Sequence, residues 1–412
     1  MFSPVTRRLL PYSIVILLGY VGFSLPLPIL PEMFLDPEKS ILPFSYSLTK
    51  RNILLGLFMS SYPLGQFLGA PVIGKFSDMI GRKKMIIISL CGTTMGYLVT
   101  AFGCTFSTLG IIFFGLFLCG FCEGNVAIAQ SVIADITEKE KKTFHFGWIN
   151  FFVCLGFIIG PFVGGKLADS SSSRFFTFAT PFWMAALMTL TGIMIIIWGS
   201  QETLRVKKQK IEPFFHSFTF LFRSPHLRTV YLANFFLALG FFSFFRFMPV
   251  YLERTFDFSI SELAYAMVYN SIAFAISLLI FVNPLSKRFS ARSLTGIFSL
   301  FLGISFIIFI FPSYSGSVYW SVPIVGFCLA ISMTNGSVLV SDMAHGDSQG
   351  EAMGSLQAVQ VSAEILTGIG GGLVAASFPF LPLCIGAIMS VICFMILHVN
   401  RKKIQEVSFE KL

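Results

Sequence analysis

Three ionisable residues stand inside long apolar runs. They are Glu123 in LCGFCEGNVAIAQ (118–130), Arg246 in FFSFFRFMPV (241–250) and Glu364 in QVSAEILTG (360–368). A charge in such a run costs several kcal/mol unless it is paired, hydrated or neutralised, so each is a candidate for function. Low dielectric disfavours the charged form of a carboxyl, which suits an acid that takes up and releases a proton. Glu123 follows Leu116 by seven residues and precedes Gln130 by seven, so on a helix the three share a face. Gln357, Gln360 and Glu364, spaced by three and four, line one face of another. Glu123, Glu364, Arg246, Gln360 and Gln130 are therefore the candidate proton- and substrate-binding groups. Arg246 lies near the end of its run, where its long side chain could instead reach the membrane interface. No nucleophile–base pair or metal-ligand spacing accompanies them, so no enzyme, cofactor or metal is expected. Cys119 and Cys122 form a CxxC spacing, but inside an apolar run they read as small packing residues.

These side chains need elements that hold them in a bilayer. The chain has 412 residues, 55% hydrophobic and only 12% charged, about half the charge of a soluble domain. A membrane helix needs about twenty apolar residues. Twelve such segments are expected, at 9–31, 52–73, 85–104, 108–134, 146–168, 180–199, 228–250, 262–284, 294–312, 318–340, 351–376 and 380–399. The first is read as a retained helix, since no small-residue cleavage site follows it. Of 29 Lys and Arg, 22 fall at one set of ends: Arg7 and Arg8, the 75–84 loop, Lys139–Lys142, 200–228, 285–293 and the C-terminal tail. The positive-inside rule makes that side cytoplasmic, with both chain termini on it. The same rule accounts for the net charge of +9 without nucleic acid.

The expected fold is all-α, two six-helix bundles. An N-terminal bundle takes 1–199 and a C-terminal bundle takes 228–412. The linker 200–227 holds PFFHSFTFLF (213–222), apolar but too short to span, and expected to lie in the membrane interface. The halves look related. Asp135 and Gly147 recur as Asp342 and Gly354, and Gly164 and Gly165 as Gly371 and Gly372, all at one offset. Paired repeats of this kind place a site between them at mid-membrane.

Two motifs are more specific. GKFSDMIGRKK (74–84) places Gly74, Asp78, Gly81, Arg82 and Lys83 in the pattern G-x3-D-x2-G-R-K between spans 2 and 3. The positive-inside rule explains its bases and not Asp78. An Asp78–Arg82–Asp135 cluster is expected to tie spans 2, 3 and 4 together. Gly147, Gly156, Gly160, Pro161, Gly164 and Gly165 form G-x8-G-x3-G-P-x2-G-G on span 5. Gly156, Gly160 and Gly164 share one face and let a neighbouring backbone come close, and Pro161 favours a bend.

The first motif resembles the signature loop of the major facilitator superfamily. The second resembles the antiporter motif of its drug:proton antiporters, and IADITEKEKKTFHFG (133–147) is similar to the same region of tetracycline-efflux-like members. The resemblance implies that the 74–84 loop gates the cytoplasmic side. It also implies that the span 5 motif seals the extracellular side against the other half. Many such antiporters carry an Arg four residues before the Gly that is Gly120 here, where this chain has Leu116. Many also carry an acid in span 1, and 17–31 has none. The expected function is proton-coupled export of a small amphipathic or cationic compound by alternating access. The expected form is a monomer in a bacterial inner membrane. Uptake of a nutrient or metal-chelating small molecule by proton symport stays open beside it, and a non-transporting membrane sensor stands behind both.

Overall fold

The computed structural model describes residues 4–124, 128–129, 131–132, 142–168, 176–203, 225–311, 314–343 and 349–401. Gln130, Asp135 and the 213–222 segment lie outside these residues, so their expected roles have no structural counterpart here. Among the described residues eleven helices are long and apolar enough to cross a membrane, and a twelfth, Leu109–Cys122, is shorter. The chain is a multi-pass membrane protein of all-α class, as its twelve apolar runs predict.

The spans are α1 (Pro4–Ser24), α2 (Leu48–Ile80), α3 (Arg82–Thr105), α4 (Leu109–Cys122), α5 (Lys142–Ala168) and α6 (Thr180–Gly199). They continue with α7 (Pro225–Phe256), α8 (Ile260–Ser277), α9 (Ala291–Ile310), α10 (Val318–Met343), α11 (Gln349–Ala375) and α12 (Leu381–Val399). Beyond α8 the chain makes a π-helical stretch, Leu278–Val282, and a short helix, Asn283–Arg288. Pro284 has no N–H to donate to the preceding turn, which accounts for the irregular register there.

The helices divide into two compact units. The first comprises Met1–Ser47, Leu57–Glu212 and Ser259–Val268; the second comprises Leu48–Gly56, Pro213–Phe258 and Tyr269–Leu412. In the first unit α1 packs on α5 and α6, and α3 packs on α4 and α6. Leu9, Val15 and Ile16 of α1, Ile86 and Leu90 of α3 and Ile196 of α6 meet in one buried cluster. α3 and α4 touch through small residues: a Cβ at Gly96 would stand 2.6 Å from the Cys119 amide nitrogen. Cys119 is fully buried at that contact, consistent with a packing role.

In the second unit α7 packs on α11 and α12, and α9 on α10 and α12. Phe244 of α7 stacks on Phe306 of α9 at 4.8 Å with the rings nearly parallel, and Phe309 meets its edge. The exposed residues of both units include many large apolar ones, such as Trp198 and Phe311, the surface expected of helices solvated by lipid.

Candidate functional site

A single continuous span over 108–134 is the expectation for the fourth helix, with Glu123 near its middle. The structure differs. The α4 helix stops at Cys122, and Glu123 has extended backbone, φ −77° and ψ 98°. Helical bonding resumes where the Ile128 amide donates to the Gly124 carbonyl at 2.9 Å. Small residues seat this break against α2. A Cβ at Gly120 would stand 1.9 Å from the Tyr62 carbonyl, and one at Gly124 would stand 2.2 Å from the Ile73 side chain. Glu123 is half-buried. It lies within electrostatic reach of Tyr62 and Tyr97. Around it Phe23 packs on Tyr62 at 4.9 Å and on Phe157 at 6.1 Å, and Phe157 packs on Tyr20 at 5.3 Å. Unit one thus presents an acid at a helix break beside a wall of aromatic rings.

Unit two holds the other two charges. Arg246 on α7 forms an ion pair with Glu364 on α11, both at least nine-tenths buried. The guanidinium also stands 6.0 Å from the Phe242 ring centroid. Of the two placements the sequence leaves open for Arg246, the structure takes the interior one. The reason is a partner within reach, which removes the drive to snorkel. Gln360, one turn before Glu364, is half-buried on the same helix.

The signature loop is a wired junction. Arg82 pairs with Asp78 at 2.5 Å and donates to the Ser77 hydroxyl at 3.0 Å. Gly81 has φ +110°, a conformation that glycine adopts without strain. It places the first amides of α3 on an acid that the sequence reading missed. The Arg82 and Lys83 amides donate to the two carboxylate oxygens of Glu202 at 2.8 and 3.2 Å. In return the Lys83 ammonium donates to the Ile197 and Ser200 carbonyls at the end of α6, both at 2.8 Å. An anion thus sits at one helix start and a cation at one helix end, as the backbone dipoles favour. Gly74 has no atom within 4 Å of a built Cβ, so nothing steric requires glycine there.

The carboxylate of Glu202 satisfies two otherwise orphaned amides, a role worth about 1 kcal/mol. Glu202→Ala is expected to raise amide hydrogen exchange at Arg82 and Lys83 about fivefold. Glu202→Gln keeps an acceptor and should raise it less. Equal exchange in all three proteins, measured by mass spectrometry, would show that the contact carries no energy.

The glycine motif of α5 makes its close approach, but to α1. Built Cβ atoms would stand 2.5 Å from the Tyr20 side chain at Gly156, 1.9 Å from Ser24 Oγ at Gly160 and 1.9 Å from the Leu25 carbonyl at Gly164. The Ser24 hydroxyl lies 3.1 Å from the Gly156 carbonyl. A Cβ at Gly165 would face elsewhere, 2.7 Å from the Ala264 side chain of α8. Pro161 lies inside the helix, and Gly147 lies in its first turns. The repeat of this motif behaves alike: a Cβ at Gly371 would stand 2.2 Å from the Phe247 ring of α7, and one at Gly372 would stand 2.6 Å from the Asn52 carbonyl of α2. Gly156, Gly160 and Gly164 thus bring a neighbouring backbone close, as their shared face predicts. Shared helix face predicts a close neighbour and not which neighbour.

No group of three or more metal-ligating side chains occurs among the described residues. The sequence model of the Major Facilitator Superfamily matches residues 12–368 and, in a second alignment, 231–411. The class B tetracycline resistance protein of Escherichia coli is 32% identical over 190 residues, 46% of this chain and 43% of that protein. The chain thus spans less than half the length of that relative. The class C protein of the same organism is 26% identical over 393 residues, covering 91% of this chain and 92% of its own. The quinolone resistance protein NorA of Staphylococcus aureus is 26% identical over 323 residues, 77% of this chain and 76% of its own. Among solved structures, a D-xylose-proton symporter superposes with TM-score 0.78 at 15% identity, covering 96% of this chain and 97% of its own. The human organic anion transporter TETRAN superposes at 0.73 and 20% identity, covering 96% and 100%. At those identities the two structures establish the fold alone. With the family's sequence model matching well over half of the chain, and its twelve-span fold in place, the chain belongs to the Major Facilitator Superfamily.

Proposed function

We propose that the chain is a proton-coupled secondary transporter that exports a small amphipathic or cationic compound by alternating access. The observation that carries this is Glu123: a half-buried acid at the break of α4, beside the Tyr20–Phe157–Phe23–Tyr62 ring cluster. Aromatic faces bind apolar bodies and attract cations, and a nearby carboxylate adds the counter-charge. A proton and a cationic substrate then compete for one carboxyl, which is the elementary step of antiport. Glu123 lies within electrostatic reach of Tyr62 in that ring cluster, so it is the acid assigned to that competition. The resistance proteins it is similar to support export as the direction. In this reading 1–199 and 228–412 are the two moving bundles, 200–227 links them, and both termini face the cytoplasm of a bacterial inner membrane. The Asp78–Arg82 pair, with Asp135, latches the cytoplasmic side, and the transporter works as a monomer.

Inside-out vesicles with an acidic lumen test this. Export predicts that they accumulate an amphipathic cation such as tetraphenylphosphonium. Symport predicts accumulation in right-side-out vesicles with acid outside, and a sensor predicts neither. Glu123→Gln should insert at wild-type amounts and reduce gradient-driven accumulation to background. Exchange of labelled for unlabelled substrate without a gradient should survive. Gradient-driven accumulation by that variant at the wild-type level removes Glu123 from the proton path.

A further inference from the structure

The break at Glu123 is held by a residue of another helix. Ser89 on α3 is 1% exposed. Its hydroxyl donates to the Cys122 carbonyl and accepts from the Gly124 amide at 3.2 Å. The two groups flank Glu123. In an uninterrupted helix the Gly124 amide would bond to the Gly120 carbonyl four residues back. Here the Glu123 amide takes that carbonyl at 3.0 Å, and Gly124 turns to Ser89. Away from water a backbone group needs a partner from the protein, and Gly124 is buried. One hydroxyl, acting as donor and acceptor together, supplies both.

From this we propose that Ser89 is a positioning residue: it fixes the interruption of α4 and thereby aims the Glu123 carboxyl toward the aromatic wall. The geometry has two discrete alternatives. With the hydroxyl present, Glu123 has extended backbone and its side chain leaves the helical stripe. Without it, the cheapest way to satisfy Gly124 is to restore the bond to Gly120, which winds Glu123 back into the helix and turns its side chain. The backbone there leaves little room for a third arrangement. Gly120 and Gly124 abut α2, and a Cβ at Gly92 beside Ser89 would stand 2.3 Å from Cys122 Sγ. No sequence motif marks this role, since Ser89 and Glu123 are 34 positions apart.

The significance for transport rests on the reading of Glu123 given above, but the positioning itself is measured without transport. Dicyclohexylcarbodiimide, an apolar reagent, modifies protonated carboxyls within membranes, and mass spectrometry reads the modified peptide. The test compares wild-type protein with Ser89→Ala and Ser89→Thr, with Glu123→Gln as the blank, across a pH series. Ser89→Ala is expected to change the labelling rate of Glu123 about fivefold, the scale of one lost hydrogen bond, with a displaced pH profile. Ser89→Thr keeps the hydroxyl and should restore the wild-type rate and profile. An unchanged profile in Ser89→Ala overturns the proposal, and so does a change that Ser89→Thr shares. If Ser89→Ala fails to insert, Ser89→Cys, nearly the same size and a weak donor, takes its place under the same criteria. If Glu123→Gln still accumulates substrate while labelling depends on Ser89, the transport reading falls and the positioning role stands.

Discussion

Arg246→Leu is expected to destabilise the protein by about 3–5 kcal/mol, because it leaves Glu364 buried without its counter-charge. The carboxylate of Glu364 is on α11, the guanidinium on α7, and these two helices pack against each other. The double variant Arg246→Met, Glu364→Gln removes both charges at similar volume. It should recover most of that loss, since an apolar replacement of a buried pair is often neutral. Thermal unfolding in detergent measures the comparison. A double variant as unstable as the single one would mean that the pair is not an energetic unit. A double variant that is stable yet inactive in vesicles would assign the pair to transport as well as to packing.

Gly164→Ala is the second large effect expected. A methyl there would stand 1.9 Å from the Leu25 carbonyl, a backbone atom that cannot rotate away. Overpacking of a filled core costs about 1–3 kcal/mol, and immovable backbone puts this case at or above the upper end. Gly160→Leu should act in the same direction against Ser24 and Val21. Gly110→Ala is the control, since a Cβ there would meet no atom within 4 Å. The expected outcome is lost transport and reduced protein in the membrane for the two α5 variants, and neither for Gly110→Ala. Wild-type transport by Gly164→Ala would mean that α1 and α5 do not approach as closely as the structure has them.

Much of the fold is legible because lipid imposes a simple rule. Apolar runs of about twenty residues count the helices, and bases mark one set of ends. Helix limits are less legible. Leu48–Ile80 exceeds the expected 52–73 because a helical backbone does not stop where the apolar run does. The candidate site divides along similar lines. A charge among apolar residues announces itself, so Glu123, Arg246 and Glu364 stand out unaided. The Arg246–Glu364 pair does not, because it joins residues 118 positions apart. Glu202 sits in QETL at the start of a polar linker and reads as an ordinary solvated charge, although it caps α3 from 120 positions away. The interruption of α4 is hidden for a further reason. The glycines at 120 and 124 permit it, but a serine of a different helix stabilises it, and only tertiary placement brings them together.

The spans also differ in length, and this bears on the thickness of the membrane they suit. The α6 and α9 helices have 20 residues each and α12 has 19, whereas α2 has 33 and α7 has 32. At 1.5 Å per residue the first group reaches about 30 Å, the hydrocarbon depth of an ordinary bilayer, and the second about 50 Å. The long helices can tilt or project without burying a polar group. The short ones have no such reserve, so a thicker bilayer must thin locally around α6, α9 and α12 or leave their ends stretched. Among the spans without an interruption or a π-helical stretch, those three helices therefore set the acyl-chain length at which the protein sits without strain, and lipids with longer chains than that act first on them.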